Sequence, residues 1–339
     1  MAIITLSREA YFHNLDIIAQ KVGGVSKIAV VLKDNAYGHG LLEMAGLAKE
    51  YGVTHAVVHN IGEAKQIEHY FDDVLILGGH SFVLHDKYRY VINALTQIND
   101  MPEGLQVELK VDTGMHRNGV AMDEVQEALE KLSQKGLLLK GVMTHNRSAD
   151  ALSSEWFWQR ERFKSIKEEV RSLQKVLGFE TPRFHSANSA ASFRFEDFDE
   201  DLVRVGIASY GCLEMDETLE QPQLKPVLSL YAQQIATRRL KAGSYVGYNA
   251  TYRAEKDETV STYDVGYADG LLRSAFGNYS TPSGAKLLGR VSMDNTTFKS
   301  SEEKLCIFNN VNSYAKAAQT IGYEVLTGLH PEIERVVVD

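Results

Sequence analysis

The sequence predicts an α/β protein with an N-terminal (β/α)8 barrel of the TIM type and a smaller, mainly β C-terminal domain. Short β-branched runs alternate with longer segments of helical periodicity over the first two thirds of the chain, which is typical of βαβ units around a parallel sheet. Beyond residues 221–226 the chain changes to short runs separated by Gly, Asn and Ser, a spacing typical of a small β-domain. We therefore expect a barrel over residues 1–224 and a β-domain over residues 225–339.

Eight candidate strands precede the expected domain boundary. The clearest helical pattern lies over residues 153–177, where apolar residues recur at intervals of three, four or seven. Eight strand-and-helix units fit a (β/α)8 barrel, and the pattern alone leaves a doubly wound open sheet as the alternative. A further helix is predicted near 311–319, within the β-domain. The predicted strands are 27–32, 54–58, 74–77, 88–92, 105–111, 139–145, 182–185 and 203–209.

The overall composition favours a soluble, cytoplasmic enzyme. The 339 residues are 44% hydrophobic and 24% charged, with a formal net charge of −9, so the chain lacks the basic surface that binding to nucleic acid or an anionic membrane requires. Cys212 and Cys306 are too few and too far apart for a disulfide framework or a zinc site, and we expect no metal. The opening residues MAIITLSREAYFHNL contain no apolar signal core.

The strongest chemical signal is the segment VVLKDNAYGHG at 30–40. An apolar strand ends in Lys33, and a polar turn that contains glycine precedes a helical pattern from Leu41. Residues at the carboxyl ends of barrel strands point into the active-site mouth. A partly buried lysine there has a lowered pKa and can act as a nucleophile, although a lysine that closes a strand and faces water is the commoner case.

This segment resembles the pyridoxal-phosphate attachment motif of the alanine racemases, which are fold type III pyridoxal-phosphate enzymes. Seven further motifs match that family in the same order and at similar spacing, which is far more specific than one fingerprint. The resemblance implies a barrel that carries the cofactor, a C-terminal β-domain, and a head-to-tail homodimer in which each active site takes residues from both chains. The further motifs are KVDTGMHRNG (110–119), HSANSAAS (185–192), VRVGIASYG (203–211), VGYNATY (246–252), VGYADG (265–270), GRVSMDNTTF (289–298) and TIGYEVLTGL (320–329).

The resemblance also implies which residues bind pyridoxal phosphate. Lys33 would hold the cofactor covalently as a Schiff base. Asn188 and Ser189 precede an Ala-rich segment, a good helix N-terminus for an anion, although such a feature alone is more often a plain N-cap. The groups that would hold the phosphate are Tyr37, Ser189, Tyr323 and the backbone of Gly206 and Ile207.

Arg204, in the motif VRVGIASYG, matches the family arginine that faces the pyridine nitrogen of the cofactor. A guanidinium group stays protonated, so it cannot donate a full proton to that nitrogen. The cofactor is then a weaker electron sink than it is beside a carboxylate, which favours return of the proton over transamination or aldol side reactions. The related decarboxylases on the same barrel use an acidic partner instead.

Racemisation needs a base on each face of the reacting carbon. Lys33 would serve one face, and Tyr248, in VGYNATY, matches the second base of the family. A free phenol has a pKa near 10, so this tyrosine needs cationic surroundings. The resemblance implies a relay from Tyr248 through His145 to Arg204, with the His145 ring stacked on the cofactor. Because Tyr248 lies beyond the expected boundary, the partner chain would supply it.

The remaining family positions concern the substrate. Arg117 matches the arginine near the phenolic oxygen of the cofactor and the substrate carboxylate. Lys110 lies where many members carry a carbamylated lysine, and a carbamate there would turn one of two neighbouring cations into an anion that orients the other. Met293, Asp294 and Tyr267 match partner-chain residues that line the substrate pocket and its entrance.

The chain departs from the family pattern at three positions. Asn146 and Arg147 replace an aromatic and a small residue, and Glu332 stands where a basic residue is common. We expect the first two to alter the wall or the entrance of the pocket. None of the three is an expected catalytic group.

The expected function is the interconversion of L- and D-alanine, which supplies D-alanine for peptidoglycan. A racemase for serine, lysine or a broader range is the nearest alternative, because the breadth of a pocket cannot be read from the sequence. A decarboxylase or D-amino-acid aldolase would keep the cofactor, but neither reaction calls for the pair Arg204 and Tyr248. A non-catalytic cofactor carrier on a single barrel would lack the β-domain and its tyrosine.

Overall fold

Eight parallel strands form the N-terminal barrel in the computed structural model, which describes residues 2–339. The strands are β2 (Ile28–Val31), β3 (His55–Val58), β4 (Asp73–Ile76), β5 (Tyr88–Ile92), β6 (Gln106–Lys110), β7 (Leu138–Met143), β8 (Arg183–His185) and β9 (Val203–Val205). They follow one another in chain order, and β9 returns to pair with β2. Between β8 and β9, the N–H of Arg204 donates to the carbonyl of Ala187 at 3.1 Å. The sheet therefore closes into a barrel, and the alternative prediction of a doubly wound open sheet is wrong.

The predicted strands correspond one to one with these eight. Seven of them end within two residues of the prediction, whereas the strand predicted over 203–209 ends at Val205. The reason lies in the hydrogen bonds of the next residues. The N–H groups of Gly206 and Ala208 donate to the Ser189 hydroxyl at 3.1 and 3.2 Å, and the N–H of Ser209 turns back to the carbonyl of Gly206. These donors are diverted from the ladder that a longer strand would need.

Helices pack their apolar faces against the barrel strands in one large hydrophobic core. The helix predicted over 153–177 is present as Glu155–Leu173 and buries Phe163, Ile166 and Val170. No helix within residues 2–339 is both long enough and apolar enough to cross a membrane. The helices are α1 (Arg8–Val22), α3 (Leu41–Tyr51), α4 (Ile61–Ile67), α5 (Val125–Gln134), α6 (Glu155–Leu173), α7 (Ser189–Ser192), α8 (Val311–Ala317) and α9 (Gly322–Gly328). The short segment α2 (Lys33–Tyr37) is a left-handed turn and not a regular α-helix.

The C-terminal part of the chain is mainly β, and the N-terminal strand of the protein joins its seven-stranded sheet. This strand, β1 (Ile3–Ser7), pairs antiparallel with β10 (Leu228–Leu240) and parallel with β17 (Glu334–Val338). The chain thus starts in the C-terminal sheet and then enters the barrel, which ties the two parts together. The helix predicted near 311–319 is α8. The other strands are β11 (Tyr245–Val246), β12 (Tyr252–Arg253), β13 (Glu258–Tyr263), β14 (Leu287–Leu288), β15 (Thr296–Phe298) and β16 (Lys304–Phe308).

Candidate active site

A cavity of about 1720 Å³ lies at the carboxyl ends of the barrel strands. Parallel strands all end at this edge, so residues that are far apart in the sequence meet there. Every residue predicted on the barrel side of the site lines the cavity, together with Tyr323 from α9. These residues are Lys33, Tyr37, Lys110, Arg117, His145, Ser189, Arg204, Gly206, Ile207 and Tyr323.

Lys33 stands at the entrance to a turn just beyond the end of β2. Its side chain is 34% exposed, and its Nζ lies 3.4 Å from Oδ2 of Asp34 and 5.8 Å from the ring centre of Tyr37. The following residues, Asp34 to Tyr37, all have φ between 52° and 55°, so the chain makes a left-handed turn. The amine is therefore accessible from the cavity and is held against the tyrosine ring.

One end of the cavity is rich in hydrogen-bond donors. The Ser189 hydroxyl oxygen accepts hydrogen bonds from the N–H groups of Gly206 and Ala208. The ring centres of Tyr37 and Tyr323 are 5.9 Å apart. Burial, and then the charge of Asp34, raises the pKa of Tyr37 to about 12, so its phenol stays protonated and can donate. A Cβ on Gly206 would lie 2.9 Å from the Tyr37 hydroxyl, so only glycine leaves this space open.

Arg204 also lines the cavity and is 5% exposed. Its guanidinium donates to the carbonyl of Thr144 at 2.7 Å and to that of Ser186 at 3.2 Å, and it also donates to Nδ1 of His185. Burial lowers the pKa of Arg204 to about 10, which still leaves the group charged at neutral pH. The structure thus places a buried cation at the cavity wall.

The hydrogen-bond partner of Arg204 differs from the one that the resemblance implied. The predicted relay passes from Tyr248 through His145 to Arg204, whereas the side-chain partner of Arg204 in the structure is His185. The His185 ring then binds Oε2 of Glu108 through Nε2 at 2.6 Å. Because arginine only donates, Nδ1 of His185 must accept, and its Nε2–H must donate to Glu108. His185 and Glu108 were missed as site residues, although His185 opens the matched motif HSANSAAS.

The hydrogen-bond network of His185 and Glu108 continues into the barrel interior. Oε1 of Glu108 accepts from Arg183 at 2.6 Å, and Arg183 also bonds Asp73 at 2.8 Å. Burial alone would raise the pKa of Glu108, but the charge of Arg183 and the hydrogen bonds that His185 and Arg183 donate outweigh it and hold that pKa well below the ordinary range. A Cβ on Gly141 would lie 2.6 Å from the Glu108 carboxyl carbon, so this glycine makes room for the network.

Two further groups in the cavity have shifted pKa values. Burial, and then the cations Arg204 and Lys110, lowers the pKa of His145 to about 3, so its imidazole is neutral at physiological pH. Burial, and then the charges of Arg117 and Arg204, lowers the pKa of Lys110 to about 8. An appreciable fraction of this lysine is therefore a free amine near neutral pH.

Two of the three departures from the family pattern, Asn146 and Arg147, lie in the loop after β7. Asn146 is buried, and its amide donates to the carbonyl of Ser186 at 3.1 Å. Arg147 donates to the carbonyl of Gly114 at 2.9 Å and pairs with Glu155 at 2.5 Å. Both residues line the cavity.

The predicted residues of the β-domain lie away from this cavity in the single chain. Tyr248 is 65% exposed, Met293 is 54% exposed and Tyr267 is 41% exposed, and Asp294 is also exposed. None of the four contributes to the lining around Lys33. One chain therefore brings together the barrel half of the predicted site and leaves the β-domain half on its surface.

Comparison with known proteins gives the family. Sequence profiles for the N-terminal and C-terminal domains of alanine racemase match residues 6–214 and 227–337. The chain belongs to the alanine racemase family. An alanine racemase from Nitratiruptor sp. is 44% identical over 339 residues, and one from Campylobacter curvus is 42% identical over 340 residues, with 100% of each chain covered in both cases.

Solved structures of the family have the same fold. The alanine racemase from Bacillus anthracis with bound L-Ala-P has a TM-score of 0.87 at 26% identity and covers 100% of this chain and 95% of its own. The alanine racemase from E. faecalis has a TM-score of 0.85 at 28% identity, with coverage of 99% and 98%. The predicted family and the predicted barrel with a β-domain are thereby confirmed.

The cavity residues fit pyridoxal phosphate, the cofactor on which alanine racemases depend. A phosphate accepts hydrogen bonds and carries negative charge. The Ser189 hydroxyl accepts the N–H groups of Gly206 and Ala208, so its own proton is available to donate, as is that of the Tyr37 phenol. Lys33 supplies a primary amine for the covalent link. Arg204 supplies the guanidinium expected opposite the ring nitrogen.

Proposed function

We propose that this protein is a pyridoxal-phosphate-dependent alanine racemase that interconverts L- and D-alanine. The observation that carries the proposal is the arrangement of one cavity, in which a lysine amine, a cluster of hydroxyl and N–H donors, and a buried arginine lie together. A cavity with an acidic residue in the place of Arg204 would instead favour decarboxylase chemistry. The family membership points to the same activity.

We propose that Lys33 and Tyr248 are the two bases. The chemistry that pyridoxal phosphate supplies when bound is the withdrawal of electron density from the α-carbon of an amino acid, which acidifies the Cα proton. The Lys33 amine removes or returns that proton on one face, and the Tyr248 phenol does so on the other. Arg204 keeps its protons because its pKa of about 10 lies above neutral pH.

We propose a homodimer with shared sites as the active form. Tyr248 is exposed and stands apart from the cavity of its own chain, so a second chain is needed to bring it to Lys33. Met293, Asp294 and Tyr267 would reach the partner's pocket and entrance in the same way. The two family profiles, which match on either side of residues 215–226, support a domain division at residues 224 and 225.

We propose that Arg117 binds the substrate carboxylate and that Lys110 becomes carbamylated. Carbamylation needs the neutral amine, whose nitrogen attacks carbon dioxide and releases one proton. The pKa of about 8 for Lys110 makes that amine available near neutral pH. The resulting anion would lie among Arg117 and Arg204, the cations that depress the pKa of Lys110, and would orient Arg117.

We propose that the enzyme acts in the cytoplasm and supplies D-alanine for peptidoglycan. Its two cysteines, Cys212 and Cys306, are free thiols, as expected of a protein from a reducing compartment.

The function is tested with purified protein, pyridoxal phosphate and a panel of L-alanine, L-serine and L-lysine. We expect D-alanine to form fastest. Lys33→Ala should lose the visible absorption of the bound cofactor. Its rate of racemisation should fall by about 10²–10⁴-fold, which is the usual contribution of a general base. The matched control is Lys65→Ala, an exposed lysine on α4, which should keep both.

Other outcomes of that experiment have distinct meanings. Faster formation of D-serine or D-lysine would identify a racemase with another substrate. Release of carbon dioxide without racemisation would contradict the proposal, and so would a Lys33→Ala protein that keeps both the visible absorption and the activity.

A further inference from the structure

The turn that follows Lys33 has an unusual backbone. Asp34, Asn35, Ala36 and Tyr37 have φ values of 55°, 55°, 52° and 53°, which places four successive non-glycine residues in the left-handed region. Side chains with a Cβ disfavour this region, and they visit it as single residues rather than in runs. Such a turn persists only where surrounding contacts hold it.

Glu63, on α4, holds the beginning of the turn. Its Oε1 accepts the N–H of Asp34 at 2.8 Å, and its Oε2 accepts the N–H of His59 at 2.7 Å. Asp34 follows β2 and His59 follows β3, so one carboxylate joins the ends of two adjacent barrel strands. Glu63 itself is fixed by Asn60, whose side chain caps α4 and accepts the N–H of Glu63 at 3.1 Å.

Arg335, at the C-terminal end of the chain, holds the other end of the turn. Its Nε and Nη2 both donate to the carbonyl of Gly38, at 3.0 and 2.9 Å. On the same residue, a Cβ would lie 1.9 Å from the carbonyl oxygen of Leu326 in α9. The C-terminal part of the chain therefore contacts the turn at Gly38, through Arg335 on β17 and through Leu326 on α9.

The turn separates two residues that must act together at the cofactor. Lys33 begins it and Tyr37 ends it, and the Lys33 amine lies 5.8 Å from the Tyr37 ring. The Tyr37 ring in turn packs on Gly206, where a Cβ would lie 2.9 Å from its hydroxyl. A relaxed, right-handed turn would move Tyr37 relative to β2, and it would remove the contacts of the Lys33 amine with Asp34 and with the Tyr37 ring.

We propose that Glu63 and Arg335 are positioning residues that keep this turn left-handed, and that they thereby fix where Lys33 presents its amine and Tyr37 its hydroxyl. The inference rests on the proposed role of Lys33 as the residue that binds the cofactor. Neither side chain lines the cavity, so both act through the turn.

The first test measures the protein without cofactor. Hydrogen exchange of the peptide that spans residues 33–41 is compared in wild type, Glu63→Ala and Glu124→Ala. Glu124 is the matched control, because its Oε2 accepts a backbone N–H, that of Ala121, at 2.8 Å away from the cavity. A hydrogen bond to a charged group is worth about 1.5–3 kcal/mol, so Glu63→Ala should speed exchange in this peptide by about tenfold or more. Glu124→Ala should leave it unchanged.

The second test measures cofactor binding and turnover. Glu63→Ala should weaken the apparent affinity for pyridoxal phosphate by about tenfold or more and should lower kcat more than it raises KM for alanine. Glu63→Gln should fall between Glu63→Ala and wild type, because an NH2 group replaces one of the two carboxylate oxygens and cannot accept the N–H that this oxygen binds. Arg335→Lys should act in the same direction, since an ammonium lacks the fork that donates twice to Gly38; Arg239→Lys, an exposed arginine on β10, is its control.

The two readouts separate this proposal from the proposed function. Equal exchange and equal cofactor affinity in Glu63→Ala and Glu124→Ala would overturn the positioning role, whatever Lys33 does. A Lys33→Ala protein that still racemises alanine would overturn the function, and the exchange result would stand on its own. If Glu63→Ala does not fold, Glu63→Gln and Arg335→Lys give the same comparison, and wild-type exchange and affinity in both would contradict the proposal.

Discussion

At the scale of single residues, the site combines one neutral histidine with several cations. Burial and then Arg204 keep the pKa of His145 at about 3, while Arg204 stays charged with a pKa of about 10. The neutral imidazole of His145 can donate one hydrogen bond and accept another, but it carries no charge near neutral pH. The positive potential that the Tyr248 phenol would need in order to act as a base would then come from Arg204 and Arg117, since a carbamylated Lys110 is an anion.

Replacing Tyr248 with Phe tests the two bases separately. The change removes only a hydroxyl, and it should lower racemisation by about 10²–10⁴-fold in both directions because each turnover needs both bases. Exchange of the Cα proton with heavy water, followed by NMR, should survive for D-alanine, from which Lys33 removes the proton. For L-alanine it should collapse. The control is Tyr245→Phe, another exposed tyrosine of the same domain.

Equal exchange of both enantiomers by Tyr248→Phe would mean that one base serves both faces. The assignment of Tyr248 would then be wrong, even if the overall rate fell. Loss of exchange from D-alanine alone would reverse the assignment of the faces and leave the pair of bases intact.

At the scale of elements, β4, β6 and β8 carry a buried charge network inside the barrel. Asp73, Glu108, Arg183 and His185 contribute one after another from these strands, and the network ends at Arg204 beneath the cavity. A buried pair adds little stability beyond a well-packed apolar pair, but the loss of one partner leaves a charge without compensation. The network therefore orients Arg204 and also makes the barrel sensitive to acid.

Glu108→Gln should destabilise the protein by about 3–5 kcal/mol at neutral pH, the usual cost of breaking a buried ion pair. The folded pKa of Glu108 is depressed, so its contribution is complete above the ordinary glutamate pKa of about 4.3. That contribution is lost as the pH falls from there toward the folded value. Denaturant unfolding between pH 3 and pH 7 should therefore show a flatter pH dependence in the variant.

The control for this prediction is Glu180→Gln, whose carboxylate pairs with Lys140 at the surface. Exposed pairs contribute little, so this variant should follow the wild-type profile. A Glu108→Gln protein with the wild-type pH dependence would show that the buried network contributes nothing to acid sensitivity.

The barrel strands were predictable because their apolar runs are short, β-branched and bounded by turns, whereas other features depend on tertiary contacts. The strand at 203–209 was predicted too long because the Ser189 hydroxyl captures the N–H groups of Gly206 and Ala208. His185 was missed because a histidine inside a strand gives no local sign of its partner. Its partner Glu108 lies 77 residues away in the sequence.

The left-handed turn was also beyond reach of the sequence alone. Its residues, Asp34 to Tyr37, include no glycine, and glycine is the usual sign of positive φ. The contacts that hold the turn come from Glu63 and from Arg335, which is 297 residues from its partner Gly38. The resemblance to a family placed Lys33 at the site, but only the packed chain shows what holds it there.

At the scale of the whole molecule, the barrel and the β-domain are one connected unit with half a site exposed. β1 lies between β10 and β17 in the C-terminal sheet, and its Ile4 and Leu6 are fully buried. The barrel thus cannot part from the β-domain without the loss of a sheet strand, so Tyr248 cannot swing freely to its own cavity. A second copy of the chain can instead bring its Tyr248 to Lys33, and in a cyclic dimer both sites are completed in the same way.

Mixed dimers test this arrangement directly. Chains with Lys33→Ala and chains with Tyr248→Phe are co-expressed with different tags, and the dimers that carry both tags are purified. In such a dimer one cavity lacks both bases, whereas the other has Lys33 from one chain and Tyr248 from its partner. Each mixed dimer should therefore show about half of the wild-type activity per dimer, while both parent homodimers are inactive. Mixed dimers as inactive as their parents would mean that each site draws both bases from a single chain, and the exposed Tyr248 would then need a movement of the β-domain to reach Lys33.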